Sequence, residues 1–215
     1  MTVVTVVDYG IVNLGNILRG LEYVGAKVQA THDPDRVLKA DRLILPGVGA
    51  FAAGMTELHL RGLDQATCEV AKAGRPVLGI CLGMQMLLDS STENGWHEGL
   101  GLISGNVSPI PKGNKGAGDR RRKVPHIGWN ALHSPPHCSS WDKTCLDRTT
   151  QGAFFYFVHS YMAVPESTTH VLAQCIYDDL PIVAAIAKGN ITGVQFHPER
   201  SGPGGLQILE RFVSS

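Results

Sequence analysis

The sequence predicts an α/β fold in which a central, mostly parallel sheet is flanked by helices, with an additional antiparallel β region in the C-terminal half. Over about the first 90 residues, short apolar runs alternate with helix-patterned stretches. That alternation builds parallel strands with crossover helices on both faces and leaves ligands beyond the strands' carboxyl ends. From about Leu102 the pattern changes to short β-like runs separated by turn residues, and helix signals stop until the C-terminus. Between the two regimes lies Gly79-Ile80-Cys81-Leu82-Gly83, the turn around which the rest of the chain is organised.

Val3–Val7 is an unbroken apolar run and reads as the first strand. Asp8-Tyr9-Gly10 turns the chain into a helix opened by Asn13, with Leu14, Ile17, Leu18, Leu21 and Val24 on one face and Gly25 as its C-cap. A short strand near Val28–Ala30, a small helix around Pro34–Leu38 and a strand at Arg42–Leu45 follow, the last ending in Pro46-Gly47-Val48-Gly49. The Ala- and Val-rich stretch Leu63–Ala73 reads as a helix leading to the strand before Cys81. In the second half, Lys112–Gly118 reads as a mobile loop and Ser134–Ser140 as another. Strands are expected at Ala153–Val158, Val171–Tyr177 and Ile182–Ala187, with a Lys188-Gly189-Asn190 hairpin into Ile191–His197. Gly204–Val213 closes the chain as a helix with Leu206, Leu209, Phe212 and Val213 inward.

At 215 residues the chain fits a single α/β domain covering positions 1–215. Lys and Arg number 19, as do Asp and Glu, so no bulk charge draws the protein to nucleic acid or an anionic membrane. A small substrate is the simpler expectation. No apolar run approaches the ~18 residues of a membrane span, and Met1-Thr2-Val3-Val4 carries no basic leader, so a soluble, cytoplasmic protein is expected. The five cysteines are scattered and include no C-x-x-C pair, a set that suits a reducing compartment.

Cys81 stands where an apolar run ends at Gly79 and a helix-like pattern through Met84, Leu87 and Leu88 begins. G-x-C-x-G at a strand-to-helix turn is the thiol counterpart of the nucleophile elbow, with glycines permitting a strained turn that lifts a side chain above the sheet's edge. Thiols at helix N-termini are acidified by unpaired N–H groups and the helix dipole, and are nucleophilic for that reason. A nucleophile needs a base, and of the nine histidines His197 is the informative one. Pro198 forces His197 out of the α region, so on extended backbone His197 and Glu199 project to one side. A carboxylate beside an imidazole fixes its tautomer and stabilises the imidazolium. Cys81, His197 and Glu199 therefore supply nucleophile, base and orienter.

Gly79-Ile80-Cys81-Leu82-Gly83-Met84-Gln85 with Gln195-Phe196-His197-Pro198-Glu199 resembles the class I, triad-type glutamine amidotransferases. Further segments spanning nearly the whole chain are similar to the glutaminase subunits of imidazole glycerol phosphate synthase. They are Asp8-Tyr9-Gly10 with Asn13-Leu14, Leu45-Pro46-Gly47-Val48-Gly49-Ala50-Phe51, Lys123 to Asn130, Phe157 to Tyr161, and Phe196 to Gly202. Val12, where the family more often has glycine, and the Gly/Arg-rich insert at 112–123 depart from that pattern. The resemblance implies a flavodoxin-like fold and glutamine as the small-molecule substrate, with no cofactor and no metal. It implies an oxyanion hole from the amides of Leu82 and, after a peptide flip, Val48. Gly47 and Gly49 make the flip sterically possible, and with Gln85, His159, Ser160 and Tyr161 they match the glutamine-binding positions. Ammonia released into neutral water is mostly protonated, so the family hands it to a separate (β/α)8 cyclase subunit in a heterodimer. Trp129, between Gly128 and Asn130, is the candidate interface anchor.

Other signals point elsewhere more weakly. Gly47-x-Gly49 before a helix invites a dinucleotide reading, but the third glycine is misplaced and no acid ends a suitable following strand. His133, His137, Cys138 and Cys145 match no zinc-finger spacing, and Arg120-Arg121-Arg122-Lys123 reads as a solvated or partner-facing loop rather than a nucleic-acid site. Two alternatives to the glutaminase subunit share its triad: a paralogue feeding a sugar-modifying amidine synthetase, and a stand-alone γ-glutamyl thiol hydrolase. A catalytically silent binding module is disfavoured by the complete triad.

Overall fold

In the computed structural model, which describes residues 3–113, 122–138 and 140–214, the strands follow the apolar runs closely. The first half comprises β1 (Val3–Val7), α1 (Leu14–Tyr23), β2 (Lys27–Thr31), α2 (Pro34–Val37), β3 (Arg42–Leu45), α3 (Phe51–Leu60), α4 (Leu63–Lys72), β4 (Val77–Ile80) and α5 (Leu82–Met86). The second comprises β5 (Leu88–Ser91), β6 (His97–Glu98), β7 (Ile103–Pro109), β8 (His126–Ala131), β9 (Phe154–His159), β10 (Tyr161–Pro165), β11 (Val171–Tyr177), β12 (Leu180–Lys188), β13 (Ile191–Val194) and α6 (Gly202–Ser214).

The central sheet has seven strands in the order β11-β12-β13-β4-β3-β1-β2. β13, β4, β3, β1 and β2 run parallel, whereas β12 is antiparallel to both its neighbours. Both faces of the inner strands are covered, which is why β3 and β4 read as continuous apolar runs rather than alternating ones. One face packs Ile17 and Leu21 of α1 and Ile208, Leu209 and Phe212 of α6 against Val4, Val6, Ile44 and Leu78. The other packs Leu58 of α3 and Leu63, Ala66 and Val70 of α4 against Leu43, Leu45 and Val77. Outside this sheet lie a four-stranded sheet, β10-β7-β5-β6, and the two-stranded ribbon β8-β9.

α3 begins two residues after Gly49, where a helix is expected, and Gly54 inside it is a packing glycine, since a methyl group there would lie 2.8 Å from the Met86 sulfur. Two details differ from the sequence expectations. The helix after Cys81 has only five residues, Leu82–Met86, and Leu88 belongs to β5, so the apparent helical spacing of Met84, Leu87 and Leu88 spans two elements. Most of the Gly/Arg-rich insert, residues 114–121, lies outside the described residues. Its last arginine, Arg122, is tied down by hydrogen bonds to the carbonyls of Pro111, Tyr177 and Asp178, and Val12 packs against the α3/α4 core.

Candidate active site

β4 and β13 are hydrogen-bonded neighbours running the same way, with Gly79 opposite Gly193 and Ile80 opposite Val194. Residues just past their carboxyl ends therefore meet on one rim, although more than a hundred positions separate Cys81 from His197 in the chain. Cys81 adopts φ 55° and ψ −108°, a conformation that a side-chain-bearing residue keeps only where its surroundings hold it. Its amide donates to the Val194 carbonyl at 2.8 Å, and α5 begins immediately afterwards. The strain sits on the cysteine itself, while the flanking glycines serve close approach. A methyl group at Gly83 would lie 1.8 Å from the Leu45 carbonyl oxygen, and one at Gly79 would lie 2.8 Å from the Gly83 backbone. With only five residues in α5, this proximity shapes the turn more than any long helix dipole does.

The Pro46–Gly49 loop is pressed against the same turn. Tyr9 is fully buried and donates to the Pro46 carbonyl at 2.9 Å, and a methyl group at Gly47 would meet the Tyr9 hydroxyl oxygen at 2.6 Å and the Leu82 Cβ at 2.8 Å. Burial and then the nearby Cys81 charge raise the Tyr9 pKa, so the phenol stays a neutral donor. Gly49 lies at φ 93°, in the region that favours glycine.

His197 follows β13 with its amide donating to the Tyr156 carbonyl at 2.9 Å, and Ser201 Oγ donates to the His197 carbonyl. Its Nδ1 lies 2.8 Å from Glu199 Oε1, with both side chains almost completely buried. The pair meets because Pro198–Arg200 forms a tight 3-10 turn, and not through the alternation of extended backbone expected from the sequence. Nε2 of His197 is buried without a formed hydrogen bond. Burial opposes the imidazolium, but the nearby Cys81 sulfur and the hydrogen-bonded Glu199 carboxylate outweigh it and raise the pKa to about 10. Unbound active sites commonly show such loosened bonds, which tighten around substrate.

Cys81, Leu82, Val48, Gly49, Gln85, His159, Ser160, Tyr161 and His197 line one cavity of about 380 Å³. Gly47 and Glu199 instead border a smaller adjoining hollow of about 70 Å³ together with Val48 and His197. Glu93, Pro125 and Val158 complete the larger wall without having been singled out in the sequence. Glu93 accepts from the Phe51 amide at 2.7 Å at the start of α3, a pairing across 42 positions that no local pattern marks. A roomier hollow of about 870 Å³ lies away from this chemistry, between α3, α4 and the segment around Trp96, and none of the expected site residues borders it.

Trp129 does not reach the cavity. Trp129 pairs with Tyr156 and Ala131 with Phe154, which puts these four residues and Ile127 on one outward face of the β8-β9 ribbon, while Val158, opposite Ile127, lies at the cavity's edge. Ile127, Trp129 and Phe154 are 59, 54 and 61% exposed, an apolar cluster on a surface strand pair. Among the described residues no set of His, Cys, Asp and Glu is arranged to hold a metal ion, and no helix is long and apolar enough to cross a membrane.

Comparison with known proteins identifies the family. The family model for class-I glutamine amidotransferases matches residues 5–215, and the chain belongs to that family of enzymes. More narrowly, it is 44% identical over 213 residues to imidazole glycerol phosphate synthase subunit HisH 1 of Legionella pneumophila (strain Lens), covering 99% of both chains. It is 43% identical over 209 residues to the HisH subunit of Wolinella succinogenes, covering 97% of this chain and 98% of that one. It also matches at 44% the chloroplastic imidazole glycerol phosphate synthase hisHF of Arabidopsis thaliana, spanning 99% of this chain but 34% of that longer protein. Among solved structures, PurLQS from Thermotoga maritima superposes with a TM-score of 0.70 at 18% identity, covering 99% of this chain and 98% of that chain. A glutamine amidotransferase from the same organism gives 0.63 at 17% identity, covering 92% of this chain and 76% of that one.

Proposed function

We propose that this chain is the glutaminase subunit of an imidazole glycerol phosphate synthase, hydrolysing glutamine at Cys81 and passing ammonia to a separate cyclase subunit. The observation that carries the chemistry is the cysteine on a strained turn, opening into a cavity it shares with an imidazole held by a buried carboxylate at 2.8 Å. Cys81 Sγ, its proton already given to His197, attacks the side-chain amide carbon of glutamine. The tetrahedral intermediate collapses as the C–N bond breaks, and the proton on His197 leaves with ammonia. Water, deprotonated by the same imidazole, then cleaves the thioester to glutamate and restores the thiol. We assign the oxyanion to the amides of Leu82 and, once its peptide has flipped, Val48, each worth about 10²–10³ in rate if correctly aimed.

Substrate orientation follows from the polar groups of the wall. Both N–H bonds of the Gln85 amide are spent, on the Tyr161 carbonyl at 3.1 Å and Gln195 Oε1 at 3.0 Å. Its carbonyl oxygen and the Glu93 carboxylate are the groups left to attract the ammonium end of an amino acid. The apolar outer face of the β8-β9 ribbon, centred on Trp129, supports docking of the cyclase. The test is glutaminase activity with and without purified cyclase and its nucleotide ligand. Strong stimulation is expected, and indifference to the cyclase would favour a stand-alone γ-glutamyl hydrolase.

A further inference from the structure

We propose that Gln195 is a further catalytic residue, donating a hydrogen bond to the Cys81 sulfur, and that Gln85, anchored on the Tyr161 carbonyl, is the positioning residue that sets this bond's direction. The proposal rests on the reading of Cys81 as nucleophile and deepens it.

Gln195 is fully buried, and its Nε2 lies 3.7 Å from Cys81 Sγ. Its Oε1 accepts from Gln85 Nε2 at 3.0 Å, and the second hydrogen of that nitrogen goes to the Tyr161 carbonyl at 3.1 Å. His159 Nδ1 donates to the same carbonyl at 2.8 Å. His159 Nε2 is 2.9 Å from His126 Nδ1, and His126 Nε2 is 3.5 Å from Asn130 Nδ2, which also donates to the Ile176 carbonyl at 2.9 Å. The two sets of bonds meet at the Tyr161 carbonyl, which accepts from Gln85 on the side of the sulfur and from His159 on the side of β8.

Their polarity has one solution. A backbone carbonyl only accepts. Tyr161 therefore requires N–H on His159 Nδ1, which leaves His159 Nε2 as the acceptor and makes His126 Nδ1 the donor. Toward the sulfur, the same carbonyl requires the Gln85 amide nitrogen to face it, so Gln195 presents Oε1 to Gln85 and N–H to Cys81. At the other end, Asn130 Oδ1 accepts from the Ala131 amide at 2.8 Å, fixing that amide too. Burial holds both imidazoles neutral, pushing His126 down to about 4 and His159 to about 3, so each ring carries one donor and one acceptor. His126 is gripped between Phe157 and Tyr177, with ring centroids at 4.9 and 4.0 Å.

At the sulfur the two neighbours favour opposite states. The Val158 carbonyl, 3.9 Å from Sγ, can take a bond only from a thiol, whereas the Gln195 N–H stabilises the thiolate. Losing the amide or its orientation therefore removes one donor from the attacking form.

Nitrogen-15 spectra of the unsubstituted protein test the anchor directly: His159 is expected as the Nδ1–H tautomer facing the Tyr161 carbonyl, and Nε2–H there would remove the acceptor that orients Gln85 and overturn the proposal. Reactivity is read as the rate of iodoacetamide alkylation at the Cys81 peptide. Gln195→Met is expected to slow it about tenfold, the scale of one hydrogen bond. Gln85→Met, which releases the Gln195 amide to turn, is expected to slow it several-fold. An unchanged rate in Gln195→Met or in Gln85→Met overturns the proposal. Alkylation needs no glutamine, so if Cys81→Ala still hydrolysed glutamine, the nucleophile reading would fall independently of these rates.

Discussion

Gly83 stands so close to Leu45 that the smallest side chain would intrude on the Leu45 carbonyl oxygen at 1.8 Å. The obstacle is backbone on a central strand, which cannot rotate away. Gly83→Ala is therefore expected to destabilise the protein by about 3 kcal/mol or more, at or beyond the upper end of overpacking costs. Thermal or urea unfolding measures this, and a loss under about 1 kcal/mol would mean that α5 shifts freely over the sheet.

The raised pKa of His197 has a sign that can be checked. Its imidazolium is stabilised in the folded state, so its contribution to stability is fully present below the ordinary histidine value of about 6.5. It is lost as pH rises through about 10. Cys81→Ala removes one of the groups that favour the charged ring, and Glu199→Gln removes the other. Each is expected to lower the His197 pKa, as followed by imidazole NMR titration, and a ring titrating unchanged in Cys81→Ala would separate it from the sulfur.

Loss of the orienting carboxylate should act on turnover more than on substrate binding. Glu199 borders the hollow behind the cavity and reaches its contents only through His197. Glu199→Ala is expected to lower kcat for glutamine by about 10²–10⁴, the range of positioned acid–base catalysis, while KM moves little. Steady-state kinetics on the complex with its cyclase decide this.

Trp129 lies on the ribbon's outer face with its ring edge toward Tyr156, the centroids 6.2 Å apart, and Tyr156 in turn carries the Arg200 guanidinium 4.3 Å above its ring. Trp129→Ala is expected to weaken cyclase binding by about 2 kcal/mol, roughly thirtyfold, as aromatic anchors do. Calorimetric titration gives the affinity, and the melting temperature of the isolated chain should stay within a few degrees.

Much of this is legible in the sequence where the physics is local. Arg42–Leu45 and Val171–Tyr177 match their strands residue for residue, since apolar runs bounded by turn residues leave little choice. The Cys81 turn and the His197-Pro198-Glu199 segment are readable for the same reason. What escapes depends on contacts between distant segments. Gly54 and Gly83 are dictated by Met86 and Leu45, Glu93 reaches the site through the start of α3, and Gln195 gains meaning only when β13 lies beside β4. The extended-backbone argument pairs His197 with Glu199 for an incomplete reason, because the turn that joins them follows from Pro198 in a 3-10 conformation.

The adjacency of β4 and β13 has an evolutionary consequence. Reagents carried on touching members of one scaffold keep their spacing whatever happens to segments that hang outside it. Ancestral duplication could therefore reassign the recipient of nitrogen by remodelling peripheral ribbons and inserts alone, leaving the deamidating machinery inherited intact.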